Sequence, residues 1–322
     1  MPHDKCDAAL SGGTGLNVRN VGASVRARLF NKARAEKRDF SLVLTRYALE
    51  RLLYRLSISE HADHFLLKGA LLFDLWFDVP LRPTRDIDLL GFGLAEEPYL
   101  VAAFEDLCLL EVDDGIQFDV NSIQAAEIRK ESNYAGVRVT LLGWVDGARC
   151  SVQVDVGYGD AVTPAPEIVN YPVLLDNFPA PKLKAYPRYT VVAEKLETLI
   201  LLGMVNSRMK DYFDLWVLST HSNFEGQVLH QAIQATLARR KTGIPQDIPV
   251  GLTEAFANDP GKQVQWQGFL SKNQLEALSL EQVVFELHRF LMPPLTALVQ
   301  ERYFDDFWHN KTGWVKSDRS KP

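Results

Sequence analysis

Apolar residues recur at helical spacing through the first part of the chain. Over residues 20–37, Val21, Val25, Leu29 and Ala33 fall about one turn apart and predict a helix with one apolar stripe. Ser41 stands where an N-cap belongs, and Leu42, Leu49, Leu52, Leu53 and Leu56 carry a second stripe to about Ser57. The apolar run 65–77 predicts a third helix, stopped by the turn region of Pro80 and Pro83.

The period then changes from helical to alternating. In 86–90, Ile87 and Leu89 face one way and Asp86 and Asp88 the other, so a short strand carries two carboxylates on one face. Residues 96–110 read as a helix, 115–123 as a strand, and 134–145 with 148–156 as a hairpin closed by Asp146-Gly147. In its second arm Cys150, Val152, Val154 and Val156 form one face, while Ser151, Gln153 and Asp155 form the polar one. A Pro-rich connection follows, from Pro164 to Pro187. Helical patterns then dominate over 190–205, 209–219, 225–240 and 280–299, the last interrupted at Pro293-Pro294. The expected organisation is α+β. A flexible leader covers 1–15, a mixed sheet with flanking helices 16–187, a helical C-terminal domain 188–310, and a frayed tail 311–322.

Composition narrows the class without changing this picture. With 322 residues, 47% apolar and 24% charged, the chain can bury a core without disulfides. The three cysteines have irregular spacing and read as free thiols of a reducing compartment. No apolar run approaches the roughly 18 residues of a membrane helix, and no secretory h-region opens the chain. A cytoplasmic protein with no membrane partner is expected.

The net charge of −6 hides an uneven distribution. From Leu16 to Glu60 ten bases stand against four acids; from Asp74 to Asp119 twelve acids stand against Arg82 and Arg85. The basic segment, with Arg26, Arg28, Lys32 and Arg34, is either a solvated helix face or a surface for a polyanion.

The chemistry gathers in Lys68-Gly69-Ala70, in Arg82-Pro83-Thr84-Arg85-Asp86-Ile87-Asp88, and in Asp155. Two carboxylates at i and i+2 on a strand, joined by a third from a neighbouring strand, build a hard oxygen cage of the kind Mg²⁺ takes together with substrate phosphates. Such a cage suits phosphoryl or nucleotidyl transfer. A D-x-D alone is weak evidence, and the upstream Gly turn, the Arg-Thr turn and the later Asp155 are what strengthen it. Elsewhere, His61 and His64 read as an exposed pair, and no P-loop, G-x-G-x-x-G or Ser-His-Asp grouping appears. Tyr47 and Tyr54 among Arg46 and Arg51, and Trp308 and Trp314 among His309, Lys311 and Lys316, interleave rings with bases. Such sets stack nucleobases or, more commonly, fill a core.

The segments VGASVRARLFNKA, LVLTRYALERLLYRLS, FLLKGALLFDLWF and RPTRDIDLLGFG, followed by VQVDVGYGD, AEKLETLI and RMKDYFDLW, strongly resemble the nucleotidyltransferase AbiEii/AbiGii toxin family. The resemblance is dense over about residues 17–220. It implies a DNA polymerase beta-like nucleotidyltransferase core, an NTP substrate, Mg²⁺ or Mn²⁺ as cofactor, a cognate antitoxin encoded nearby, and the 3′ end of tRNA as acceptor. It also assigns roles: Asp86 and Asp88 as the metal pair, Thr84 as the small hydroxyl before them, Asp155 as the third carboxylate, and Lys195 as a phosphate contact. Asp211 or Asp214 fills the last acidic motif. Lys68, Gly69, Ala70 and Arg82 fall to the nucleotide, although Gly69-Ala70 stands where the superfamily has Gly-Ser or Gly-Gly. An RNA acceptor makes Arg26, Arg28, Lys32 and Arg34 the candidate RNA surface.

The residues by themselves leave other readings open. Lys195 fits a solvated position on an amphipathic helix, and Asp211 and Asp214 fit a surface network with Arg208 and Lys210. The same site also suits transfer to a protein hydroxyl, and a non-catalytic, antitoxin-binding protein is the third reading.

Overall fold

The structure is a computed structural model of the chain and describes residues 20–77, 82–93, 96–129, 135–276 and 278–316. The expected leader lies outside the described residues. Helix α1 (Val21–Ala35) starts where Asn20 accepts the Ala23 N–H, and it buries Val25, Leu29 and Ala33 as its stripe requires. Helix α2 (Phe40–Ile58) is capped by Asp39, which accepts the Ser41 and Leu42 N–H groups. The cap is therefore two residues earlier than Ser41, and Ser41 is helical.

The third expected helix is mostly a strand. β1 (Phe65–Lys68) is buried along its whole length, Gly69–Leu71 form a 3-10 turn, and only α3 (Leu72–Trp76) is α-helical. An apolar run fits either a buried strand or a helix by period alone, and Gly69 at φ +75° stops any helix from passing through. β2 (Asp86–Gly91), α4 (Glu97–Leu109), β3 (Ile116–Arg129), β4 (Ala135–Val145) and β5 (Ala148–Tyr158) follow nearly as expected, with β3 longer than predicted.

Two strands in the Pro-rich connection escape sequence reading, β6 (Glu167–Asn170) and β7 (Lys182–Ala185). Each is four residues long, and β6 is largely exposed. The seven strands form one mixed sheet in the order β3-β4-β5-β2-β1-β7-β6. The β2–β5 and β1–β7 pairs are parallel and the others antiparallel.

The C-terminal part is helical: α5 (Arg188–Leu202), α6 (Met209–His221), α7 (Gly226–Arg240), α8 (Glu254–Ala257), α9 (Pro260–Asn273) and α10 (Leu280–Val299). It is closed by a small antiparallel sheet of β8 (Phe224–Glu225), β9 (Phe307–His309) and β10 (Gly313–Val315). The tail expected from 311 is thus ordered through β10, and residues 317–322 lie outside the described ones.

Helix α10 also runs through Pro293 and Pro294 without the expected interruption. Pro294 cannot donate to the carbonyl four residues back, at Phe290, and the Trp314 indole donates to that carbonyl instead at 3.0 Å. Trp308 is 3% exposed and donates its indole N–H to the Ser219 carbonyl, while Tyr47 is fully buried and donates to the Asp114 carbonyl. These aromatics belong to the core and not to a stacking surface. Among the described residues no helix is long and apolar enough to cross a membrane.

Candidate active site

Register brings the predicted residues into one row. Lys68 on β1 pairs with Asp88 on β2, Asp88 with Asp155 on β5, and Asp155 with Arg138 on β4. Register partners point to the same face, so the row reads Lys68, Asp88, Asp155, Arg138 across four adjacent strands. All four line a cleft of about 630 Å³ together with Asp86, Gly69, Ala70, Arg82, Lys195 and Asp211. Asp86 lies two residues before Asp88 on the same face, and its Oδ1 accepts the Thr84 hydroxyl at 2.9 Å.

The turn before α3 is shaped around Asp88. A Cβ on Gly69 would overlap Asp88 Oδ2, and the φ of +75° there suits glycine. The expected helix start is a single 3-10 turn leading into a five-residue helix, so the backbone here offers a tight turn and not the end of a long helix dipole.

The opposite wall comes from α5 and α6. Lys195 Nζ lies 2.7 Å from Asp211 Oδ1 and 2.8 Å from Asp214 Oδ2, because Asp211 and Asp214 are one turn apart on α6. Arg208 bonds the other Asp211 oxygen at 2.6 Å, and Arg82 grips Asp214 through Nε at 2.8 Å and Nη2 at 2.9 Å. Both carboxylates are 1% exposed. Burial works against the Lys195 charge, but Asp211 and Asp214 outweigh it and raise its pKa. Burial likewise opposes ionisation of Asp211 and Asp214, and their cation partners overcome it and hold both below the usual carboxylate range. Lys195 is charged at neutral pH and is not a solvated surface lysine.

A third group closes the rear of the cleft. Lys68 Nζ lies 2.7 Å from Asp160 Oδ2, and Arg240 bonds Asp160 at 3.0 Å and Glu197 at 2.9 Å. Burial raises the Asp160 carboxyl, but Lys68 and Arg240 win and bring it down to about 2. Arg138 is less enclosed: it meets both Asp155 oxygens at 2.8 Å, yet its side chain is 44% exposed.

The donors fit a hard divalent cation in part. Asp86 and Asp88 offer carboxylates two residues apart on one strand face, and the Asp88 carboxylate packs directly on Gly69, in the space that a Cβ would fill. Asp155 completes the set on the neighbouring strand, with both its oxygens taken by Arg138. Among the described residues the trio whose ligand atoms lie within 4.8 Å of one another is Glu60, His61 and Asp106, outside the cleft; Asp86, Asp88 and Asp155 are not drawn together to that distance. His61 there is buried and 2.9 Å from Asp106, so the histidine pair predicted as exposed has only His64 at the surface.

The structure thus unites Lys68, Gly69, Ala70, Arg82, Asp86, Asp88, Asp155, Lys195 and Asp211, with Thr84 and Asp214 in direct contact with members of that set. It does not bring the α1 bases there. Arg26 donates to the Asp146 carbonyl at the far end of the β4–β5 hairpin, nine residues and roughly 30 Å of strand from Asp155. Arg28 is bonded to Asn177 and Lys32 to Glu36. Sequence reasoning missed Arg138, Asp160, Glu194 and Arg240. A signal existed for Arg138, because counting back from the Asp146-Gly147 turn places residue 138 opposite residue 155.

Two solved Helicobacter pylori structures show a partial likeness. For JHP933 the identity is 13%, with 78% of this chain and 88% of that chain covered at a TM-score of 0.44. For a candidate nucleotidyltransferase it is 15%, with 78% and 91% covered at 0.40. Among curated proteins none matches the chain. The family model described as nucleotidyl transferase AbiEii toxin, type IV TA system, matches residues 51–297, which takes in every cleft residue named above. The chain belongs to the AbiEii nucleotidyl transferase toxin family of type IV toxin–antitoxin systems.

Proposed function

We propose that the cleft transfers a nucleotidyl group from an NTP to the 3′ end of tRNA, blocking aminoacylation, and that a cognate antitoxin encoded nearby counters it in the cytoplasm. The observation that carries this reading is the cross-strand pairing of Asp88 with Asp155, two residues from Asp86, on the floor of a cleft walled by Lys68, Arg82, Lys195 and Arg208.

Asp86 and Asp88 would hold Mg²⁺, with Mn²⁺ as a substitute. A bound divalent ion supplies charge neutralisation at the triphosphate and acidifies a nearby hydroxyl. Thr84 keeps Asp86 in one rotamer through its hydroxyl. Lys195 and Arg208 present positive charge to the phosphates. Asp211, which lines the cleft, fixes both of them, and Asp214 behind it fixes Arg82 and Lys195. Asp155 orients the acceptor hydroxyl and takes its proton. The acceptor oxygen then bonds the α-phosphorus, the bond from that phosphorus to the bridging oxygen breaks, and pyrophosphate leaves. Lys68 is held by Asp160 and supports the Asp88 end of the row.

The acceptor contacts are read at the cleft and not on α1. Arg208 and Lys210 are exposed at its rim, beside the reacting groups, whereas Arg26 is a strand length away. The test is transfer of label from α-labelled NTPs to total tRNA, before and after periodate oxidation of the tRNA 3′ diol. Label on intact tRNA and none on oxidised tRNA is the expected result. Label on a protein from cell extract would instead identify a protein hydroxyl as the acceptor.

A further inference from the structure

The row across the sheet contains one cation that sequence motifs do not mark. Arg138 is the register partner of Asp155 and meets both of its oxygens at 2.8 Å. It therefore takes one lone pair on each oxygen of the third carboxylate, and the Gln153 amide also approaches Oδ1, at 3.4 Å. Most other cleft cations are locked in place: Lys68, Arg82, Lys195 and Arg240 have side chains no more than 15% exposed, each on a carboxylate that is itself nearly or wholly enclosed. Pulling one of them out would leave a buried charge without its partner. Arg138, at 44% exposed, can leave Asp155 and stay in water.

The sheet also leaves room for that movement. Gly136 and Gly157 are register partners two residues from Arg138 and Asp155, hence on the same face and next to them. Both line the cleft and neither adds a side chain beside the guanidinium; the nearest side-chain group above Gly157 is the Lys68 ammonium, 3.6 Å from where a Cβ would stand. Arg138 is drawn to this floor first by its hydrogen bonds to Asp155, and the Asp86 and Asp88 charges add to the attraction. A divalent cation arriving between these carboxylates would replace that attraction with repulsion, while the polyphosphate entering with it offers the planar fork a new bidentate partner.

We propose that Arg138 is an exchangeable cap: it closes Asp155 in the free chain and passes to the phosphates of the incoming metal-bound nucleoside triphosphate, which frees Asp155 for the acceptor hydroxyl. This rests on the nucleotidyl-transfer reading above. It makes the nucleotide, entering before the acceptor, the signal that unmasks the base. No bond is made or broken in the exchange, only ion pairs.

The test is Mn²⁺ binding followed by electron paramagnetic resonance without nucleotide, and NTP binding by calorimetry in the presence of Mg²⁺. Arg138→Gln should bind Mn²⁺ at least fivefold more tightly than the parent chain, because three carboxylates are then exposed to the ion. It should bind the NTP about tenfold more weakly. Adding Asp155→Asn to Arg138→Gln should return Mn²⁺ affinity to the parent level or below. An exposed Arg-to-Gln change leaves the fold intact, which thermal melting checks. Unchanged Mn²⁺ affinity in Arg138→Gln overturns the cap, and unchanged NTP affinity overturns the exchange. Mn²⁺ binding that survives both Asp86→Asn and Asp88→Asn would instead refute the underlying metal site, so the two failures are distinguishable.

Discussion

Gly69 and Asp88 meet so closely that no side chain fits between them: a Cβ on Gly69 would overlap the Asp88 carboxylate. The residue also sits at φ +75°, where an L side chain is strained. Gly69→Ala should therefore cost about 1–3 kcal/mol of stability and push Asp88 off its position beside Asp86. Thermal melting together with nucleotide transfer measures both effects. Transfer should fall far more than the modest loss of folded protein accounts for, and the neighbouring Ala70→Ser should be benign.

Lys195 is predicted to serve structure and chemistry at once, and the two roles can be separated. Lys195→Met leaves Asp211 and Asp214 buried with one cation each, destabilising the chain by about 3 kcal/mol. Adding Asp214→Asn removes one of the stranded charges and should recover part of that stability. Transfer activity should remain lost in both variants. Urea denaturation and the labelling assay on the same preparations read out the difference.

Acid should weaken the rear of the cleft in a defined window. Asp160 is held at about 2 against an ordinary value of 3.8, burial being overcome by Lys68 and Arg240. A carboxyl depressed in the folded state contributes stability above its unfolded pKa and loses it as pH falls toward the folded value. That contribution should be lost as pH falls through this range, and because Glu194, raised by burial, shares Lys68 and Arg240 with Asp160, the loss belongs to the pair. Asp160→Asn should flatten this part of the stability curve, measured by denaturant melts at stepped pH.

The Pro294 and Trp314 pair offers a test of the C-terminal part. Trp314→Phe leaves the Phe290 carbonyl without its donor and should cost about 1–3 kcal/mol. In that background Pro294→Ala restores a backbone N–H able to reach the same carbonyl, so the second change should cost less than it does alone. A four-variant cycle of chemical denaturation measures the coupling.

Much of the site was legible because strand alternation and the Asp-Gly hairpin fix geometry from sequence. Asp86 and Asp88 had to share a face, and Asp155 had to end a polar one. What sequence reading lost lies where period is uninformative or partners are distant. Residues 65–68 form a buried strand whose apolar run looks like a helix, and β6 and β7 are too short, among prolines, to show alternation. Helix α9 was missed although Asp259 caps it, Pro260 opens it, and Lys262, Trp266 and Leu270 stand four apart on its buried face. Trp314 read as part of a frayed tail because its function is to satisfy a carbonyl 24 residues earlier. The α1 bases were legible as charge but not as position, since only the tertiary fold sets Arg26 at the far end of the hairpin from Asp155.

The central claim is metal-dependent nucleotidyl transfer at Asp86 and Asp88, and double labelling tests it most directly. Purified protein is incubated with tRNA, Mg²⁺ and an NTP carrying distinguishable labels on the α- and γ-phosphates, beside Asp88→Asn and a chelated control. The account predicts α-label on the tRNA, γ-label in pyrophosphate, and neither product in the two controls. Label transferred from the γ-phosphate, or α-label still reaching tRNA with Asp88→Asn, would contradict it.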